Sequence, residues 1–164
     1  GIGIVSITFF LVGFGMPVTT TQEVESIFNF VDELGPDNAM FIGFDFAPGT
    51  QAENMPMGVA VLRHAFHNHI PVFLTAIVPL GQGMAVSALD YVTDPMGSGY
   101  YKRVLFEDWA DYRESGITDR EELITAWERD GNVLPEGALG WVFEGRDYAL
   151  LGYLPLFHLS LIHI

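Results

Sequence analysis

Asp45 is the residue whose position best suits chemistry. It lies in a short apolar run, Ala39 to Phe46, flanked by Asp37-Asn38 and Pro48-Gly49. That is the pattern of a buried strand between turns. In open α/β sheets, ligands collect at the carboxyl ends of the strands. Beyond Asp45 the chain offers Thr50, Gln51, Glu53 and Asn54. Two carboxylates there, Asp45 and Glu53, could share acid–base work or hold a divalent cation. They are the candidate catalytic residues of a hydrolase or transferase. A second apolar run, Ile70 to Val78, leads into Pro79-Leu80-Gly81-Gln82-Gly83. Read as an exit loop, this places Gly81, Gln82 and Gly83 beside Asp45, as ligand-binding partners of Thr50, Gln51 and Asn54. The competing reading is structural: Asp45 caps a turn, and Glu53 opens a helix whose dipole favours its charge.

Other motifs carry less. Phosphoaspartate chemistry of the haloacid dehalogenase kind needs a second Asp two positions after the first, and Ala47 stands there. On a helix His64 and His67 share the solvent face, while His69 falls on the other side or past the end. The three histidines therefore do not converge, and no metal site is expected. Gly81-Gln82-Gly83-Met84-Ala85-Val86 puts Val86 where a dinucleotide fingerprint has its third Gly. There is no P-loop lysine motif, and Gly97-Ser98-Gly99 lacks the spacing of a nucleophile elbow. No cofactor follows from any of these.

Positioning falls to the surrounding elements. Thr20-Thr21-Gln22-Glu23 reads as a capping box opening a helix, with Val24, Ile27, Phe28, Val31 and Leu34 on one face and Gly35-Pro36 as the stop. Between the two apolar runs, Ala52 to Asn68 has helical spacing, with Gly58, Val61, Leu62, Ala65 and Phe66 on one face and Pro71 beyond. Met84 to Val92 follows as another helix. Strand–helix–strand–helix with continuous apolar strands predicts a mainly parallel sheet with helices on both faces, a three-layer Rossmann-like or flavodoxin-like α/β domain over 19–158. From about 100 to 132 the spacing of Tyr101, Val104, Leu105, Trp109 and Tyr112, and a second capping box at Thr118 to Glu121, predict an acidic helical hairpin inserted between core strands. Gly140 to Phe143 reads as a short edge strand and Tyr148 to Tyr153 as the third core strand.

With 21 acidic and 7 basic residues the formal net charge is -14. Nothing so acidic neutralises a run of phosphates, so nucleic acid is excluded as a partner. The absence of Cys removes disulfides, thiolate metal sites and Cys nucleophiles. Ile2 to Val18 carries no charge. It reads as a membrane anchor cut short by the start of the chain. The competing reading is the apolar core of a signal peptide, whose cut site Phe14-Gly15-Met16-Pro17 fits poorly. Three Gly residues and Pro17 make a poor soluble helix. No Lys or Arg precedes Arg63, whereas Glu23 and Glu25 follow the run closely. That asymmetry puts the α/β domain on the extracytoplasmic side. Leu159 to Ile164 match the translation of a sequencing-library adapter and are set aside.

Phe44-Asp45-Phe46-Ala47-Pro48-Gly49, Glu53-Asn54-Met55-Pro56-Met57, Leu62-Arg63-His64-Ala65-Phe66 and Tyr148-Ala149-Leu150-Leu151-Gly152-Tyr153 resemble segments of a group of bacterial and archaeal hypothetical proteins. Those have membrane-spanning ends around a Rossmann-like α/β domain. The resemblance covers roughly 1 to 92 and 147 to 154. It departs at Leu154, where a Lys is usual, and in the longer acidic insert. It implies architecture and a membrane location, and no activity. Two functional expectations stand together: a membrane-anchored binding or assembly module meeting a protein partner through the acidic insert, and an enzyme with its carboxylate site at Asp45 and Glu53.

Overall fold

A computed structural model of the chain describes residues 20–96 and 100–154. The apolar run 2–18, Gly97-Ser98-Gly99 and residues 159–164 lie outside these. Among the described residues no helix is long and apolar enough to cross a membrane. The described residues fall into two units, divided between Phe30 and Val31.

Helix α1, Gln22–Glu33, starts in the first unit and ends in the second. Its cap is one residue later than the expected box: the Val24 N–H reaches Thr21 Oγ1 at 3.5 Å. Of its expected apolar face, Val31 is buried in a core, while Val24 and Ile27 are more than half exposed.

The second unit is built on a parallel sheet. Strands β1 (Met40–Gly43), β2 (Val72–Ala76) and β5 (Tyr148–Tyr153) lie in the order β1-β2-β5, each parallel to its neighbour. Met40 pairs with Val72, and Val72 with Tyr148. Helix α2 (Gln51–His67) connects β1 to β2, and α3 (Pro79–Thr93) follows β2. The order advances one way, so crossovers of equal hand fall on one face. Helices α2 and α3 accordingly pack side by side. Met55, Leu62, Ala65, Phe66, Ala85, Ala88 and Leu89 cover Val72, Leu74 and Tyr148. The expected second helical layer is not found among the described residues: Phe41 is 68% exposed, with its ring stacked on Phe73 at 4.8 Å.

One boundary, the start of α3, differs from expectation for a clear reason, while the end of α2 falls within a residue of the expected Asn68. Residues Pro79 to Gly83 are not an exit loop but the first turn of α3, with Pro79 at its start. A proline's fixed φ and missing N–H suit that position. Helix α2 ends before Pro71. The His69 N–H bonds Phe66 O and the Ile70 N–H bonds Ala65 O, a Schellman closure with His69 in the left-handed position at φ 56.

The insert is more than a helical hairpin. Strand β3 (Lys102–Val104) leads into α4 (Phe106–Glu114) and α5 (Arg120–Arg129), and β4 (Trp141–Phe143) returns parallel to β3. Tyr101, Val104 and Leu105, expected on a helix, instead belong to this strand and its margins. The unit has its own core: Val104, Trp109, Leu123, Trp141 and Phe143, with Trp127 and Tyr112 packed against them. Edge-to-face contacts join Trp127 to Trp141 and Trp109 to Phe143. The cap of α5 is Asp119 rather than Thr118, its carboxylate accepting the Glu121 and Glu122 N–H groups at 3.0 Å.

Candidate functional site

The carboxyl ends of the strands bring together part of the expected set. Asp45 is exposed just past β1, and its Oδ1 accepts the Ile77 N–H at 2.5 Å. The carboxylate thus ties the end of β1 to the exit of β2. Gly81 does lie there, pressed on the backbone: a Cβ would meet Phe44 O at 1.8 Å and the Ala76 Cβ at 3.0 Å. Glycine at this position is a packing requirement. Gln82 is exposed, with its Nε2 3.6 Å from where a Cβ on Gly152 would stand. Gly83 faces open space.

The remaining candidates serve the start of α2. Thr50 ends a 3-10 turn, Pro48–Thr50, and its hydroxyl donates to Ala47 O at 3.2 Å. The Asn54 side chain donates to Thr50 O at 3.2 Å. Glu53 is exposed in the first turn of α2, where the dipole favours its charge. Ligand crevices in such sheets open where neighbouring crossovers part to opposite faces. Here α2 and α3 stay together, and the described strands contain no such reversal.

The histidines are divided among separate tasks. His64 Nε2 lies 3.3 Å from Asp32 Oδ1, and Asn68 donates to the same oxygen at 3.2 Å. These two hydrogen bonds, Asn68 first, hold the Asp32 carboxyl below its ordinary range. His67 is exposed, and His69 is the helix-closing residue. Burial, with Arg120 nearby, lowers the His69 pKa. Among the described residues no group of His, Asp and Glu side chains is placed to hold a metal ion.

Two features escaped the motif reading. The first is a cavity of about 650 Å³ over the α2–α3 junction, lined by Gln51, Ala52, Met55, Val59, Arg63 and Tyr91 among others. Of the expected site residues only Gln51 borders it. The second is Asp147, buried where β4 turns into β5. Its Oδ2 accepts the Phe143 N–H at 2.9 Å, and its Oδ1 faces Arg120 Nε at 3.5 Å and Arg146 Nε at 3.9 Å. Burial raises the Asp147 pKa, against the pull of both guanidiniums. Arg120 is itself spent on Trp141 O, and Arg146 on Thr118 O. This cluster fastens the insert to the head of β5.

The insert's tryptophans are likewise structural. Trp109 is 4% exposed and donates to Glu144 O at 2.9 Å, so it cannot serve as a contact residue. Its acidic residues are another matter. Glu107, Asp108, Asp111 and Glu114 are all exposed on α4. No family model, curated protein or solved structure matches the chain.

Proposed function

We propose that this chain is a non-enzymatic binding or assembly module, tethered to a membrane by its N-terminal apolar run with the α/β domain outside the cytoplasm. Its contact surface is the outer side of the insert, and its partner is a protein with a basic face. The supporting observation is the row Glu107, Asp111 and Glu114, one stripe of α4 at helical spacing, exposed and without an ion-pair partner among the described residues. Glu107 and Asp108 have a local reason to be acidic, because the helix dipole favours charge in the first turn. Asp111 and Glu114 do not. Like charges three or four residues apart cost a helix about 0.2–0.5 kcal/mol per pair, and Glu114 faces the negative end of the dipole. A basic partner removes both costs.

The carboxylate-site reading has less support. Asp45 is engaged by the Ile77 N–H, and neither Asp45 nor Glu53 borders the cavity over the α2–α3 junction.

The test uses the full chain extracted in mild detergent. The wild type retains a partner at low salt and releases it as salt rises, because exposed charge pairs are screened. The triple variant Glu107→Gln, Asp111→Asn, Glu114→Gln loses that partner while its melting temperature holds or rises. Recovery of the same partners by the variant overturns the proposal.

A further inference from the structure

The cavity over the α2–α3 junction has the form of a ligand groove. Ala52, Met55 with Pro56, Val59 with Ala60, and Arg63 recur at helical spacing along α2 and make one wall. The eleven helical steps from Ala52 to Arg63 run about 16 Å. Met55 and Val59 are buried and form the floor, while Ala52 and Ala60 are small enough to leave the groove open. Tyr91 of α3 stands on the other side, and Pro48 and Gln51 close one end. The volume, about 650 Å³, falls within the range of small-molecule sites, which are largely apolar with a few convergent polar groups.

The polar group at the far end is unusual for this chain. Arg63 is the sole Lys or Arg among residues 1–101 of a protein with net charge -14. It is exposed and makes no hydrogen bond or ion pair with another described residue. Arg103, Arg120, Arg129 and Arg146 face Asp90, Asp147 or Asp130. Lys102 and Arg113, which like Arg63 make no ion pair with a described residue, do not border this groove. A guanidinium left open at the head of an apolar trough is complementary to a single anion carried on an apolar tail.

We propose that this groove binds an anionic amphiphile, one acyl chain with a terminal carboxylate, its tail along Ala52 to Ala60 and its charge on Arg63. The site is distinct from the acidic side of α4 and does not rest on that reading. The same chemistry could reach the groove as a free fatty acid or from the bilayer, so the reference must separate the two sources.

The probe is decanoate labelled with ¹³C at its carboxyl, titrated by NMR into the full chain in phosphatidylcholine nanodiscs, with empty nanodiscs as reference. Saturable binding above the reference is expected, weakened about tenfold by Arg63→Gln, the scale of one charge-assisted contact. Arg63→Lys restores part of it. Ala60→Trp fills the trough and abolishes binding, and circular dichroism of each variant reports that α2 is intact. Decanol, uncharged, binds more weakly than decanoate and is indifferent to Arg63→Gln. The α4 triple variant binds decanoate as the wild type does. The proposal is overturned if decanoate never exceeds the reference, or if Arg63→Gln with intact helices binds it unchanged. It is equally overturned if an apolar helical peptide saturates the groove where decanoate does not.

Discussion

Gly81 and Gly83 stand two residues apart and do opposite things. Both were expected in a ligand loop; the first lies against the backbone at the end of β1 and the second faces open space. Gly81→Ala must push Phe44 O away from a Cβ built at 1.8 Å, so it should cost about 1–3 kcal/mol, the range of core overpacking. Gly83→Ala adds a better helix former inside α3 and should gain up to about 1 kcal/mol. Urea denaturation of the two variants checks the pair, and equal effects would return both residues to a loop. Tyr148 offers a second test at this scale. Burial raises the pKa of its hydroxyl. An unfolded tyrosine ionises near pH 10, so above that pH the unfolded state sheds a proton that the folded state keeps. Stability therefore falls as pH rises past 10. Tyr101 shifts in the same direction through its own burial. Stability against pH for Tyr148→Phe should thus decline less steeply than for the wild type, without becoming flat. None of this was visible in the residue types alone: an aspartate at a strand end looks the same whether it meets a ligand or a backbone N–H.

Among elements, the insert gives the sharpest prediction. All three tryptophans of the chain, Trp109, Trp127 and Trp141, belong to its core. Tryptophan fluorescence therefore reports this unit in particular. Leu123 is fully buried there, and Leu123→Ala should cost about 2–5 kcal/mol by cavity formation. The fluorescence transition should move to lower denaturant by more than the circular dichroism transition does. An unmoved fluorescence midpoint would contradict a separate aromatic core. Strands β2 and β5 were legible as continuous apolar runs, and α2 as a repeating apolar face. Strand β3 was not, because Tyr101, Val104 and Leu105 repeat at intervals that fit a helix equally well, and three paired residues are too few for alternation to show. The start of α3 was hidden because Pro79, Gly81 and Gly83 read as a loop. The end of α2 was legible from Pro71, but its closing residue was not, because a histidine and not a glycine takes the left-handed position.

For the whole molecule, the parallel sheet was legible and its coverage was not. Strand composition says that a strand is buried, but which face a helix covers depends on strand order, which is a long-range property. The one-way order β1-β2-β5 gathers α2 and α3 on one side. Among the described strands there is thus no reversal of order beside Asp45 and Glu53. The overall charge is -14, and the fold shows where part of it sits. Some acids are structural, as Asp119 caps α5 and Glu128 accepts the Trp141 Nε1–H at 3.0 Å. The α4 row is not. If that row is the contact surface, its carboxylates are shielded in native membranes and open in the purified chain. Carbodiimide labelling of both preparations, read peptide by peptide, measures this directly. The expected result is protection of Glu107, Asp111 and Glu114 in membranes, with the exposed Glu33 and Glu136 labelled alike in both. Equal labelling of the α4 carboxylates in the two preparations would contradict a contact surface there.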